Sequence, residues 1–507
     1  MNRQIRQLAA ALIGLYVMLF AALNYWQVNR TEELASEPGN TRALIRQFDT
    51  PRGPIVTADG VVVARSVQAP GDSDVTFVRT YPTGDLFAHV TGYYTFGLGA
   101  TQLEETKSGV LTGDTFTQQL RALDNLFSRN NDNSGELRLT LREDMQAVAK
   151  FLLGPREGSI VLMEIDTGAI VSMWSYPSFD PNLVADPDYE AAFDYVTELQ
   201  ADERDPLLAN AYQQRYMPGS TFKVLTTGAA LDAGVISLES FWEPEREFLP
   251  PQTSDPIQNY ANSVCGGDLT EVFRRSCNTP FARTALDLGP EAFREGIERW
   301  GVGEEVPIDL PRAAASTIGD FEGIEDQLPL LAIRGFGQND DQMVPLHMAM
   351  VAATVANDGA MMTPFVVDAE LDHDGRVISR TQPEVWKRPI SRQTAGILRD
   401  LMVEVAEDGT ASCCIALDDG ISVAAKTGTA QLNGPGEPER SHAWIVAFAP
   451  VEDPKYAVAV MLKGTTAEIS AGTGGRLAGP IAKSMLDAAF DIEPTPAADA
   501  ATTEPSE

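Results

Sequence analysis

From Leu8 to Leu23 the chain carries an unbroken apolar run, with Arg3 and Arg6 before it and Asn24-Tyr25-Trp26 after it. Extended to Val28, the run reaches about the twenty residues that a helix needs to cross a bilayer. Tyr25 and Trp26 suit the headgroup layer, and basic residues ahead of the span predict a cytoplasmic N-terminus with the rest outside. No small-x-small cleavage site follows Leu23 and no cysteine offers lipid attachment, so an uncleaved anchor is favoured over a signal peptide.

Beyond the anchor the pattern changes several times. Residues 29–50 are polar and read as a stalk. Alternating apolar positions predict strands at Ile55 to Thr57 and Val61 to Ala64 around an Asp59-Gly60 turn. The stretch Arg129 to Gly135 (RNNDNSG) reads as an exposed loop. Ile160 to Ile165 and Ile170 to Trp174 form a second predicted hairpin, across Asp166-Thr167-Gly168. Helical spacing then dominates, at Phe222 to Ala233, Leu269 to Leu288, Ala292 to Trp300 and Leu346 to Ala356. Strands return at Ser422 to Ala425, Ala443 to Ala449 and Tyr456 to Leu462, and Ala478 to Phe490 reads as a closing helix with Pro480 in its first turn. One sheet is thus expected from both ends of a large module, with an α-rich insertion between. The expected division is an anchor at 1–30, a small N-terminal module at 31–150, a catalytic module at 151–490 and a disordered acidic tail at 491–507.

Composition narrows the functional classes. A chain of 507 residues can bury more than one core. Its net charge of −34 excludes nucleic acid as a partner and argues against broad adhesion to anionic headgroups. The four cysteines are Cys265, Cys277, Cys413 and Cys414, and an extracytoplasmic location permits disulfides. Three pairings are open. A Cys265–Cys277 bridge would brace the segment around Asn278, and free buried thiols are the alternative.

Three motifs carry chemistry. Of the eight lysines, only Lys223 has a serine three positions earlier, in Ser220-Thr221-Phe222-Lys223. Pro218-Gly219 suits a turn into a helix, and the i, i+3 spacing puts the Ser220 hydroxyl and the Lys223 amine on one face. A lysine becomes a base only if burial or neighbouring positive charge lowers its pKa from about 10.4, and Lys426 can supply that charge. Ser276-Cys277-Asn278 offers a hydroxyl to relay protons and an amide to bind substrate. Ser128-Arg129-Asn130 matches the same pattern, but it sits in a polar loop ahead of the nucleophile and is set aside. Lys426-Thr427-Gly428-Thr429 continues a predicted strand. Gly428 lets a substrate backbone approach, while Thr427, Thr429 and Lys426 can bind a carboxylate. The backbone N–H groups of Ser220 and Thr429 can form an oxyanion hole.

Each motif alone is weak, since S-x-x-K is common by chance and a lone K-T-G is often only a hairpin end. Their order and context together point to acyl transfer through a serine ester without histidine. There is no G-x-S-x-G elbow and no phosphate-binding glycine loop. His89, His347, His373 and His442 lack metal-ligand spacing, so neither metal nor cofactor is expected.

On these residues the chain resembles a class B penicillin-binding protein, most like the actinobacterial penicillin-binding protein A group. Arg52-Gly53-Pro54-Ile55, Leu103-Glu104 with Leu111-Thr112-Gly113, Gly335-Phe336-Gly337-Gln338 and His442-Ala443-Trp444 resemble further segments of that family. Gln102 departs from it, standing where glycine is usual. The resemblance implies a multi-domain α/β protein. Its penicillin-binding/β-lactamase-like domain would have a central antiparallel sheet flanked by helices, beside a small pedestal and one transmembrane helix. It implies D,D-transpeptidation of peptidoglycan stem peptides ending in D-Ala-D-Ala, acylation of Ser220 by β-lactams, and a SEDS-type membrane glycan polymerase as partner. The motifs alone also admit a D,D-carboxypeptidase, a serine β-lactamase or a non-catalytic scaffold.

Overall fold

The computed structural model describes residues 2–25, 48–71, 75–119, 133–433 and 440–490. Trp26, the stalk up to residue 47, Ser128-Arg129-Asn130, most of the Arg129–Gly135 loop and the tail lie outside those residues. Among the described residues one helix, Arg3–Leu23 within Asn2–Asn24, is long and apolar enough to cross a bilayer, and its side chains are exposed.

The catalytic module is organised by a five-stranded antiparallel sheet. Its spatial order is Ala424–Gln431, Ser441–Ala449, Tyr456–Leu462, Gly158–Glu164 and Ile170–Tyr176, so both chain ends meet in one layer. Every residue of Ser441–Ala449 is buried, and continuous burial means that both faces of the strand are covered. Helix Pro345–Ala356, buried at all twelve positions, packs on the sheet, as does Gly479–Ala489, which also contacts Glu143–Leu153. Ala424–Gln431 is the end strand, and among the described residues no strand pairs with its outer edge.

A second, six-stranded sheet builds the N-terminal module. Ile55–Val56 lies between Glu136–Leu139 on one side and Val62–Gln68 on the other, with Phe77–Thr80 beyond. Its far edge is Val367–Leu371 and Val377–Arg380, a hairpin from the second half of the chain that the sequence did not mark as strands. Glu104 sits at the centre of this module with no exposed side-chain surface. Its carboxylate accepts from Arg52 Nε at 3.0 Å and from Arg79 Nε at 2.6 Å, which joins the segments around Arg52 and Leu103-Glu104. Gln102 has φ +51°, a backbone conformation that favours glycine. That explains why a glycine is usual there in the family the chain resembles.

Candidate active site

Ser220 lies in a tight turn, Gly219–Phe222, that runs straight into helix Lys223–Asp232. The turn is set by Gly219, whose φ is +55° and whose N–H donates to the Gly337 carbonyl at 2.9 Å. A Cβ at Gly428 would lie 2.6 Å from the Pro218 carbonyl oxygen, and one at Gly219 would lie 2.7 Å from that of Thr429. Only glycine allows the turn and the Ala424–Gln431 strand to touch at these points. Trp444 Nε1 also donates to the Met217 carbonyl at 3.0 Å, which fixes the approach to the turn from the neighbouring strand. Ser220 is half-buried, whereas Lys223, one turn on, is fully buried.

The stretch read as one helix from Leu269 to Leu288 is two. Leu269–Arg274 ends, Ser276 takes φ +57°, and a new helix starts at Thr279 with Pro280 in its first turn. Apolar periodicity continues across the break, so the pattern hides it. The break turns Ser276 and Asn278 toward Lys223. Lys223 Nζ donates to the Ser276 carbonyl at 2.8 Å, to Ser276 Oγ at 3.3 Å and to Asn278 Oδ1 at 2.9 Å. Cys277, between them, is bonded to Cys265 across a Cα separation of 5.7 Å, and Cys413 is bonded to Cys414.

Lys426 reaches the same cluster from the end strand. Its Nζ donates to Ser276 Oγ at 2.9 Å and to the Thr427 carbonyl at 3.0 Å. Both amines are enclosed by aromatic rings. Lys223 Nζ lies 5.2 Å from the centre of Phe281 and 5.9 Å from that of Phe336, and Lys426 Nζ lies 5.7 Å from Phe273. Burial lowers the Lys426 pKa to about 7. Burial and then the charge of Lys426 hold Lys223 well below the ordinary lysine value. Such a lysine can be neutral near pH 7 and take a proton from a hydroxyl one helical turn away.

Thr427 and Thr429 point away from Lys426, as strand alternation requires. Thr427 Oγ1 hydrogen-bonds Thr410 Oγ1 at 2.6 Å, and Thr429 Oγ1 accepts from Gly474 N at 3.3 Å. Among the described residues the outer edge of this strand is unpaired, and there an extended peptide can add as a further strand. Thr410 and Asn259 both touch motif residues and escaped the sequence reading, since neither lies in a recognisable spacing. His442 is structural: its Nδ1 accepts from Gly464 N at 3.0 Å, and burial lowers its pKa to about 4.

The chain matches known proteins over nearly its whole length. Residues 158–487 match the penicillin binding protein transpeptidase domain, and residues 52–137 match the penicillin binding protein A dimerisation domain. The peptidoglycan D,D-transpeptidase PbpA of Mycolicibacterium smegmatis is 36% identical, over 97% of this chain and 99% of its own. PbpA of Mycobacterium tuberculosis is 34% identical, over 97% of this chain and 100% of its own. The ceftriaxone acyl-enzyme complex of penicillin-binding protein A from M. tuberculosis superposes with a TM-score of 0.81 at 32% identity, covering 88% of this chain and all of that one. The chain therefore belongs to the penicillin-binding protein transpeptidase family, in its class B branch, and is similar along nearly its whole length to the actinobacterial penicillin-binding protein A group.

Proposed function

We propose that the peptidoglycan D,D-transpeptidase reaction of this chain runs through an ester on Ser220, with Lys223 as the base. The neutral Lys223 amine takes the hydroxyl proton as Ser220 Oγ bonds to the carbonyl carbon of the penultimate D-alanine. The backbone N–H groups of Ser220 and Thr429 receive the developing oxyanion. As the C–N bond breaks, Ser276 Oγ passes a proton, replaced from Lys223, to the amine of the departing D-alanine. An amine of a second stem peptide then attacks the ester and loses its proton by the reverse route. Thr427 and Thr429 bind the terminal carboxylate while Lys426 adds charge from the other face of the strand, Asn278 binds a substrate amide, and Gly428 gives the peptide backbone room. β-Lactams acylate the same serine, a reading supported by the ceftriaxone, imipenem and penicillin G acyl-enzymes of the M. tuberculosis protein.

The observation that carries this reading is the convergence of two buried lysines on one hydroxyl. A fluorescent penicillin tests it. The wild-type chain takes up persistent label and Ser220→Ala takes up none, whereas an unlabelled wild type would end the reading. Release of label within seconds would instead indicate a β-lactamase, and a stem peptide supplied with an acceptor amine separates cross-linking from carboxypeptidase activity.

The finer arrangement in the cell belongs to the same proposal. Residues 1–30 anchor the chain with its N-terminus in the cytoplasm, 31–150 form a pedestal, 151–490 carry the chemistry outside the membrane and 491–507 are a tail. The pedestal docks a glycan polymerase of the SEDS type. Membrane protein that keeps an N-terminal tag exposed to protease added outside intact spheroplasts would refute this topology.

A further inference from the structure

Asn259 follows the short strand Ile257–Gln258, meets the start of the Thr279–Leu288 helix and is only 3% exposed. Its Oδ1 accepts from two consecutive backbone amides, Asn278 N at 2.7 Å and Thr279 N at 3.1 Å. Its Nδ2 donates to the Glu245 carbonyl at 2.9 Å and to Thr279 Oγ1 at 3.2 Å. Amides in the first turn of a helix have no acceptor within that helix. Asparagine suits the place because one end accepts both amides while the other donates to a carbonyl.

The preceding residue completes the arrangement. The Gln258 carbonyl accepts from Asn278 Nδ2 at 3.0 Å, so Asn278 Oδ1 is left facing Lys223 Nζ at 2.9 Å. Asn259 thus holds the backbone of Asn278, and its neighbour orients the side-chain amide. The other end of the support is firm, because Arg283 forms a two-pronged pair with Glu245 at 3.0 and 2.9 Å and stacks 3.9 Å over Phe248.

We propose that Asn259 is a positioning residue for acyl transfer: it fixes Asn278 so that Oδ1 holds the Lys223 amine beside Ser276 Oγ. The proposal rests on the reading of Lys223 as the base. Among its contacts Asn259 reaches the Lys223 amine only through Asn278, and that sets it apart from a residue that merely supports the fold.

The test uses the full-length chain in detergent and the first-order rate of acylation by saturating fluorescent penicillin. Asn259→Ala slows acylation by at least about tenfold, as expected when a catalytic group is displaced. The Asn259→Ala, Asn278→Ala double variant is no more than about threefold slower than Asn278→Ala alone, because coupled residues are not additive. Losses that multiply, or an Asn259→Ala rate equal to the wild type, overturn the proposal. Should Asn259→Ala fail to fold, Asn259→Asp keeps the oxygen that the two amides meet, at a helix N-terminus that favours an anion, but loses the donor to the Glu245 carbonyl, so its rate lies between those of the wild type and Asn278→Ala. A rate for Asn259→Asp as low as that of Asn278→Ala overturns it equally. Wild-type chain and Ser220→Ala run beside these variants: an unlabelled wild type removes the parent reading, while a labelled wild type with an indifferent Asn259→Ala removes only this one.

Discussion

Lys223 and Lys426 converge on a single oxygen, with Ser276 Oγ 3.3 Å from one Nζ and 2.9 Å from the other. Two ammonium groups held this close in a buried site do not both keep their protons at neutral pH. Lys223 is the one pushed further, since the charge of Lys426 adds to its burial. On the proposed mechanism two residues of identical chemistry therefore take different roles, Lys223 as the base and Lys426 as the carrier of what charge the site retains.

This asymmetry fixes a pH dependence. Acylation by a β-lactam falls on the acid side as Lys223 gains a proton. Lys426→Met removes the neighbouring charge, so the Lys223 pKa rises and the acid limb moves to higher pH, by roughly one unit or more at this separation. The rate amplitude falls as well, but the position of the limb reads the coupling alone. A pH profile of single-turnover acylation decides it, and a stationary limb would show that Lys426 does not set the protonation of the base.

The same substitution has a sign for stability. A lysine at about 7 in the folded state and about 10.4 unfolded binds fewer protons when folded across that window. Stability therefore rises with pH between those values, and the cost of the buried charge is fully present below pH 7. Lys426→Met removes this cost. Its urea midpoint exceeds that of the wild type most at pH 6, by on the order of 1 kcal/mol in stability, with the gap shrinking toward pH 10. A gap that widened with pH would contradict the assignment.

Gly428 tests the contact between nucleophile turn and end strand. A Cβ there meets the Pro218 carbonyl oxygen at 2.6 Å and Thr221 Cγ2 at 3.0 Å, and backbone cannot swing aside. Gly428→Ala must push the strand away from the turn, separating Ser220 from Thr429, the two residues whose N–H groups are proposed to receive the oxyanion. Loss of one such donor typically costs about 100-fold or more in rate. Overpacking costs the fold only about 1–3 kcal/mol. Acylation kinetics beside a melting curve separate the two effects, and a rate within threefold of the wild type would exclude the contact from catalysis.

Much of this was legible because local pattern and final structure agree. The runs at Ile160 to Ile165, Ala443 to Ala449 and Tyr456 to Leu462 became sheet strands within two residues of their expected bounds. The serine–lysine spacing likewise needed only a helix. What escaped depends on remote partners. Nothing around Val367 announces that it will pair with Leu139, a residue far earlier in the chain. The break at Ser276 is held by the bond from Cys277 to Cys265 and by Asn259, and its one local sign is Pro280, which cannot donate to the Ser276 carbonyl, while the apolar periodicity favours continuity. Thr410 and Asn259 act through single hydrogen bonds or pairs of them, which no spacing encodes.

The last expectation concerns Glu104 in the N-terminal module. Its two oxygens accept from two buried guanidinium groups, and Arg79 also donates to the carbonyls of Arg52 and Gly53 at 3.1 and 2.9 Å. Glu104→Gln keeps the shape but removes the only negative charge recorded against Arg52 and Arg79 among the described residues. Breaking a buried pair in this way costs about 3–5 kcal/mol, because the remaining charges stay buried without compensation. The damage is local: Glu104 makes none of the hydrogen bonds that organise Lys223, Ser276 and Lys426. Hydrogen exchange in Glu104→Gln should accelerate in Val62–Gln68 and Phe77–Thr80 while Ser441–Ala449 stays protected, and acylation of Ser220 should stay within about threefold of the wild type, as expected for sites without shared partners. Uniform loss of protection across both sheets would mean that the two modules unfold as one unit, coupled through the strands Val367–Leu371 and Val377–Arg380.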